Sequence, residues 1–230
     1  GNKIGYKNTL YSLASLYMQQ LSYDKALEYL NTINEKSKED NDLRNQINAL
    51  KQIGSIYYNM GQYEESVKKY KEILTLEDKL NFGKFRSIDL MEVYAGLGEC
   101  FGQIGDKEQG EKYFQQALKE AGDTKDEGAI GYIYMRLGGF YSRVNDSSKS
   151  IDAYKKSVEA LEKINYVTRN NSALIAAYVG LAENYRREQN KPEVLLYYKK
   201  ALPIAEKINS PLLNSIKSNM FFADKEKQVK

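Results

Sequence analysis

The 230-residue sequence contains no histidine, and this absence excludes several kinds of active site. A Ser-His-Asp triad, a Cys-His pair, a histidine-ligated zinc site and the HExxH metalloprotease helix all require an imidazole. Tryptophan is also absent, and Cys100 is the single cysteine, so no intrachain disulfide can form. The sequence therefore predicts a chain that is not an enzyme and that has no metal site and no cofactor.

Long apolar runs and a strong excess of one charge are lacking as well. No segment approaches the roughly 20 apolar residues that a membrane-spanning helix requires. The net charge is only +3, and lysine and glutamate interleave along the chain, as in "EESVKKYKE". Such interleaving is typical of solvated helix faces rather than of a basic surface that binds nucleic acid. We expect no nucleic-acid partner and no membrane span.

The chain begins with Gly1 and not with methionine, so we expect it to be a piece of a longer protein, fused to further domains. Its sequence does not fix the compartment. A cytoplasmic location is slightly favoured, whereas removal of a signal peptide would instead place the chain outside the cytoplasm.

One helical pattern recurs five times along the chain. Each copy has a bulky residue, then a Leu or Ile followed by a small residue, then an aromatic residue. The copies are Leu10, Leu13, Ala14 and Tyr17; Leu50, Ile53, Gly54 and Tyr57; Tyr94, Leu97, Gly98 and Phe101; Tyr134, Leu137, Gly138 and Tyr141; and Tyr178, Leu181, Ala182 and Tyr185. A second helical pattern follows each copy: Ala26, Leu30 and Ile33; Ser66, Tyr70 and Ile73; Gly110, Phe114 and Ala117; Ser150, Tyr154 and Ser157; and Val194, Tyr198 and Ala201.

These paired patterns resemble the tetratricopeptide repeat, a hairpin of two helices. The resemblance implies an all-α, right-handed superhelical solenoid of antiparallel helix pairs. The predicted hairpins span about 4–40, 41–83, 84–123, 124–167 and 168–209, and 210–230 forms a capping helix and tail. The small residues in each first helix should let it approach its second helix closely.

Two features depart from the common repeat. The small residues are spaced by 40, 44, 40 and 44, not by 34, and the proline that usually ends the second helix is absent from the matching positions 38, 78, 122, 162 and 206. We therefore expect longer second helices, as in kinesin light chains, spindle-orientation adaptors and bacterial peptide-sensing regulators. "LNFGKFRSIDLMEVYAGLGE" and "INYVTRNNSALIAAYVGLAE" match at an offset of 84, which indicates that a pair of repeats was duplicated. We call this offset the duplication offset.

Local signals predict where some helices begin and end. Asp106 and Gln109 have the spacing of a capping box, and Ser210 followed by Pro211 predicts a helix start. Pro203 should kink or end the fifth second helix. The stretch "GLGECFG" is loosely like a nucleotide-binding loop, but its Gly98 is the small residue of the third repeat, and the preceding segment has helical spacing.

A second stripe on the first helices is left outside the packed pattern. If the small residue is counted as place 8, this stripe consists of places 2, 5, 9, 12 and 13, and we call it the first-helix stripe. The family resemblance implies that it lines a concave groove. The residues predicted to contact a ligand are Asn8, Tyr11, Met18, Asn48, Lys51, Tyr58, Glu99, Tyr132, Arg143, Glu183, Arg186 and Arg187.

The residues of this stripe suggest what the groove would bind. A Lys and an Asn four residues apart clamp a carboxylate in chaperone-binding repeats, but Tyr11 and Ser15 stand at those places in the first repeat. That clamp is therefore not predicted. Glu99 and Glu183 recur with the repeat and are interpreted as solvated groove residues, not as a catalytic pair.

Three arginines, Arg143, Arg186 and Arg187, are expected either to bind carboxylates of an acidic partner or to be ordinary solvated surface. Taken with the repeats, the stripe predicts a non-catalytic module that binds an extended peptide or a helix of a partner protein. The alternative is a ligand- or peptide-sensing regulatory domain of a larger sensor kinase or transcription regulator.

Overall fold

A computed structural model describes residues 3–80, 87–164 and 168–225, and among these residues there are helices and turns but no strand. The helices are α1 (Lys3–Gln19), α2 (Tyr23–Glu39), α3 (Leu43–Asn59), α4 (Tyr63–Leu80), α5 (Ser87–Ile104), α6 (Lys107–Thr124), α7 (Glu127–Arg143), α8 (Ser147–Glu162), α9 (Thr168–Arg187), α10 (Lys191–Lys207) and α11 (Leu213–Lys225). The predicted all-α class is confirmed.

The chain divides into two compact units, Gly1–Gly110 and Glu111–Lys230. In the first unit, helices α1 to α5 pack consecutively, and in the second unit α7 to α11 do so. Buried residues of the predicted stripes form each core, with Leu30 and Ile53 fully buried in the first unit and Leu181 and Tyr198 in the second. None of the described helices is long and apolar enough to cross a bilayer.

The same tight turn joins successive helices at the fully described connections, except between α6 and α7, where the Asp126 N–H donates instead to Thr124 Oγ1. One residue adopts a left-handed backbone conformation, and the next residue donates its N–H to a carbonyl five residues earlier, as Asp146 does to Tyr141 at 2.9 Å. This bond satisfies a carbonyl that the helix end would leave unpaired. The left-handed residue is often one that adopts this conformation at little steric cost, as Gly61, Gly105 and Asn145 do. At the first turn it is Leu21, with a φ of 56°.

Two buried tyrosines show how the small residues act. Tyr70 of α4 lies between Gly54 and Gly96, where a Cβ would come within 3.1 Å and 2.7 Å of its ring. Tyr154 of α8 lies between Gly138 and Gly180 in the same way. Each ring thus contacts the first helix of its own repeat and that of the following repeat. The close approach predicted for Gly54 and Gly138 is confirmed, and the two arrangements are related by the duplication offset.

Buried serines reinforce these contacts. The Ser66 hydroxyl donates to the Gly54 carbonyl at 2.7 Å, and the Ser150 hydroxyl donates to the Gly138 carbonyl at 2.8 Å. In both cases a serine in the first turn of a second helix bonds to the backbone of the first helix at its small residue. A larger side chain at the glycine or loss of the serine hydroxyl would therefore disturb the same helix contact.

The local predictions had mixed outcomes. Asp106 accepts the Gln109 N–H at 3.0 Å, as expected of an N-cap. The Ser210 hydroxyl accepts the Leu212 N–H, but α11 begins only at Leu213, so the helix starts later than predicted. Pro203 does not end its helix, because α10 continues to Lys207, and the alternative that it kinks the helix stays a prediction. Ala201 and Ala205 on either side of Pro203 are fully buried, and this packing holds the last turn in place.

Candidate functional site

The stripe residues of α1 and of the start of α3 differ in how much of each side chain is exposed to solvent. Asn8 is exposed, whereas Tyr11, Met18 and Asn48 are half-buried. The Tyr11 hydroxyl donates to the Asn45 carbonyl at 2.9 Å. Burial, with the nearby Asp42 carboxylate, raises the pKa of Tyr11 far above its usual value, so the hydroxyl stays protonated and ties α1 to α3. Tyr11 therefore offers its ring face, but not a free hydroxyl, to a ligand.

Lys51 is held by two carboxylates of α5. Its ammonium lies 2.8 Å from Asp89 Oδ1 and 2.9 Å from Glu92 Oε2. Burial acts to lower the pKa of Lys51, but the hydrogen bond to Asp89 and the charge of Glu92 outweigh it, so the pKa is raised. The charge of Lys51 is thus largely neutralised within the protein, and the side chain fastens α3 to α5.

Tyr58 and Glu99 complete the stripe in the first unit. Tyr58 is half-buried, and its hydroxyl accepts a hydrogen bond from Gln103 Nε2 at 3.1 Å. Its ring meets the edge of the Tyr63 ring, with the centroids 5.5 Å apart. Glu99 is half-buried on the same helix as Gln103. Tyr58 is therefore a fixed aromatic residue, less exposed than its place in the stripe suggested.

In the second unit, Glu183 and Arg186 belong to a network centred on Tyr198. The Tyr198 hydroxyl donates to Glu183 and accepts from Arg186 Nη2 at 3.0 Å and from Asn219 Nδ2 at 3.1 Å. Arg186 Nη1 also lies 3.0 Å from Glu183 Oε2. The network joins α9, α10 and α11, and its carboxylate already neutralises the Arg186 guanidinium.

Arg187 and Arg143 lie in a different environment. Arg187 Nη1 donates to the Ser142 hydroxyl at 3.0 Å and to the Ser142 carbonyl at 3.3 Å, and thereby links α9 to the end of α7. Arg143 is exposed, and within the described residues it has no acidic partner. Tyr132 is half-buried, and the Arg136 guanidinium lies 5.7 Å from the centre of its ring.

The two units build the same polar bridge from different residues. In the first unit Gln103 bonds to Tyr58, and in the second unit Arg187 bonds to Ser142, in each case between successive first helices. The duplication offset relates Tyr58 to Ser142 and Gln103 to Arg187. The bridge is neutral in the first unit and carries a positive charge in the second.

Reasoning from the sequence missed several of these polar residues. Ser142 and Gln103 belong to the first-helix stripe but are not among the residues that the sequence predicts to contact a ligand. Tyr198 belongs to the packed pattern. Its side chain is fully buried, as that pattern predicts, but its hydroxyl also accepts a hydrogen bond from Arg186. The duplication offset would have paired Gln103 with Arg187, but no local pattern indicates that Asn219 reaches Tyr198.

The described residues do not form a metal-binding site. No group of three or more His, Cys, Asp or Glu side chains is arranged there to hold a metal ion. Cys100 is buried, and its thiol lies 3.1 Å from the Ser66 hydroxyl, so it packs within the first unit.

Comparisons with known proteins match these repeats. A family model described as Tetratricopeptide repeat matches residues 45–119. The general transcriptional corepressor trfA of Dictyostelium discoideum is 30% identical over 122 residues, which are 49% of this chain and 8% of that protein. The chain thus spans a small part of the length of this curated relative.

Solved structures show the same fold. The structure of a Rap protein complexed with competence and sporulation factor aligns with this chain at a TM-score of 0.75 and 14% identity. The alignment covers 89% of this chain and 55% of the Rap chain. The structure of PlcR of Bacillus thuringiensis, in complex with the peptide PapR7 and DNA, aligns at a TM-score of 0.70 and 18% identity. This alignment covers 96% of this chain and 75% of the PlcR chain. At such identities the likeness establishes the fold.

Proposed function

We propose that this chain, which belongs to the tetratricopeptide-repeat family, is a non-catalytic module that binds an extended or helical segment of a partner protein along the first-helix stripe. The observation that carries the proposal is the contrast between the two stripes of the same helices. Leu10, Ala14 and Ile53 of the packed stripe are buried, whereas Asn8 and Ser15 of the first-helix stripe are exposed. Exposed polar and half-buried aromatic side chains on one face suit a peptide ligand.

Known complexes of structural relatives support the same conclusion. The PlcR structure contains the peptide PapR7, and the Rap structure contains competence and sporulation factor. Hydrogen bonds across successive first helices, such as those of Gln103 and Arg187, hold the stripe residues in fixed positions before a ligand arrives. A preorganised surface binds with a smaller loss of conformational entropy.

A second candidate is a peptide-sensing regulatory domain within a larger signalling protein. PlcR, which is solved with both a peptide and DNA, favours this candidate. In both candidates the ligand is a peptide bound at the stripe. They differ in whether binding changes the activity of an attached domain.

The test selects peptides from a random library displayed on phage and measures the affinity of synthetic copies by fluorescence anisotropy. Ser15→Glu and Ala176→Glu place a charged side chain in the stripe of α1 and of α9. Asn31→Glu and Ser148→Glu make the same change at exposed positions of the second helices α2 and α8. We expect at least one stripe variant to bind about tenfold more weakly or worse, and both control variants to bind like the unmodified chain.

The proposal fails if the library yields no binding peptide. It also fails if the control variants on the second helices weaken binding as much as the stripe variants do. Circular dichroism of each variant checks that its helices are retained, so that a loss of affinity can be assigned to the altered surface.

A further inference from the structure

We propose that Arg143, Arg187 and the Tyr154 hydroxyl form a seat for one carboxylate group of the bound peptide. This inference rests on the proposed function and names the chemistry that the second unit recognises. The three groups belong to α7, α9 and α8, so the seat exists only when these helices are packed together. All three are hydrogen-bond donors, and none of them contacts a carboxylate within the described residues.

Arg143 and Tyr154 lie on either side of a space left by Gly139. A Cβ on Gly139 would lie 3.5 Å from Arg143 Nη1 and 3.5 Å from the Tyr154 hydroxyl oxygen. Because glycine lacks this atom, the guanidinium and the hydroxyl are both next to an open position on the surface of α7. Gly139 is itself partly exposed, so a ligand can reach this position from solvent.

Arg187 is held in place without being neutralised. Its Nη1 donates to the hydroxyl and to the carbonyl of Ser142. Its Nε and Nη2 have no partner within the described part of the chain, and they remain available to an acceptor. A guanidinium that is already oriented loses less side-chain entropy when it binds a carboxylate.

Tyr154 supplies a neutral donor. Its ring is held between Gly138 and Gly180, and only 8% of the residue is exposed. Its hydroxyl makes no hydrogen bond to any described residue. Burial raises the pKa of Tyr154, and the positive charges of Arg143 and Arg187 oppose that rise only in part, so the hydroxyl keeps its proton and can donate it in a hydrogen bond.

The ligand that suits this arrangement is a carboxylate. The two guanidinium groups give the seat a net positive charge, which repels a cation and attracts an anion. Together with the hydroxyl they can donate several hydrogen bonds, so they favour an anion with several acceptor sites. Arg186 is not part of the seat, because Glu183 pairs with it at 3.0 Å. The carboxylate can come from the C-terminus of the peptide or from an aspartate or glutamate side chain.

The first unit supplies the matched variants. Asn59 and Gln103 stand at the positions that the duplication offset relates to Arg143 and Arg187. Gln103 keeps the bridging hydrogen bond at 3.1 Å without a charge. Arg143→Asn and Arg187→Gln therefore remove the charges while using side chains that this fold already carries at the same places. Arg44→Gln, at an exposed position of α3, is the control for a lost positive charge elsewhere.

The experiment measures one library-selected peptide in three forms by fluorescence anisotropy at low salt. One form has all its carboxylates, one has an amidated C-terminus, and one has Asn and Gln in place of Asp and Glu. We expect each arginine substitution to weaken binding of the first form about tenfold, and Arg44→Gln to leave it unchanged. We further expect one of the two altered peptides to bind weakly to the unmodified chain and to be insensitive to both arginine substitutions. That peptide identifies which carboxylate occupies the seat.

Three results would overturn the seat in different ways. If both arginine variants bind like the unmodified chain while Ala176→Glu still weakens binding, the peptide occupies the stripe without using the seat, and the proposed function survives. If neither the arginine substitutions nor the stripe substitutions have any effect, the seat and the proposed function fail together. Equal losses for all three peptide forms would also overturn the seat, because the arginines would then act without a ligand carboxylate.

Discussion

Gly138 and Gly139 are neighbours in α7, yet alanine should give a lower free energy of unfolding at Gly138 than at Gly139. In the middle of a helix, Gly→Ala stabilises by about 1 kcal/mol through backbone entropy alone. At Gly139 the new Cβ would make ordinary contacts of 3.5 Å, so this gain should be realised. At Gly138 the Cβ would lie 2.7 Å from both Cγ and Cδ1 of Tyr154, closer than carbon atoms approach each other.

The clash at Gly138 cannot be relieved by a small rotation of the tyrosine. Cγ is the ring atom nearest the backbone, and Gly180 lies close to the Cζ end of the same ring, so relief requires α8 to move away from α7. Overpacking of this kind costs about 1 to 3 kcal/mol. The gain from helix propensity is the same for both variants, so the difference between their unfolding free energies isolates the steric cost.

Urea unfolding followed by circular dichroism measures that difference. We expect Gly139→Ala to be at least as stable as the unmodified chain and Gly138→Ala to be less stable than Gly139→Ala by about 1 to 3 kcal/mol. Hydrogen exchange should show that the loss of protection is concentrated in α7, α8 and α9. Equal stability of the two alanine variants would refute the view that Tyr154 fixes the spacing between successive repeats.

Two further predictions concern single polar groups. Ser66→Ala should lower the free energy of unfolding by about 1 kcal/mol, because the buried hydrogen bond to the Gly54 carbonyl is lost, and unchanged urea unfolding would contradict this. The pKa of Tyr198 is raised above 10.0 by burial and by Glu183, so its contribution to stability is complete below pH 10.0 and is lost as the pH rises. Tyr198→Phe should therefore make stability fall less steeply above that pH, and identical slopes for the two proteins in urea unfolding at several pH values would contradict the assignment.

The sequence by itself determined the helical repeats of this protein. Residues three and four apart lie on one helical face, so the alternation of bulky, small and aromatic residues predicts both the helices and the stripe that packs. The alternating spacing of the small residues and the duplication offset were equally readable, since they are properties of the chain alone. Turn residues such as Asp106 also acted as predicted, because a cap involves atoms only a few residues apart. The five hairpin boundaries and the stripe as a binding site stay predictions.

The tertiary structure alone decided which charges of the stripe remain available. Arg143, Arg186 and Arg187 look alike in the sequence, but Arg186 is neutralised by Glu183 and tied to Tyr198, whereas Arg187 bonds only to Ser142 and Arg143 has no acidic partner among the described residues. Lys51 likewise is not available to a ligand, because its ammonium forms ion pairs with Asp89 and Glu92. These pairings join residues as far as 45 positions apart, and the distance between two such side chains depends on how the helices pack. Electrostatic attraction falls with that distance, so no local pattern could reveal it.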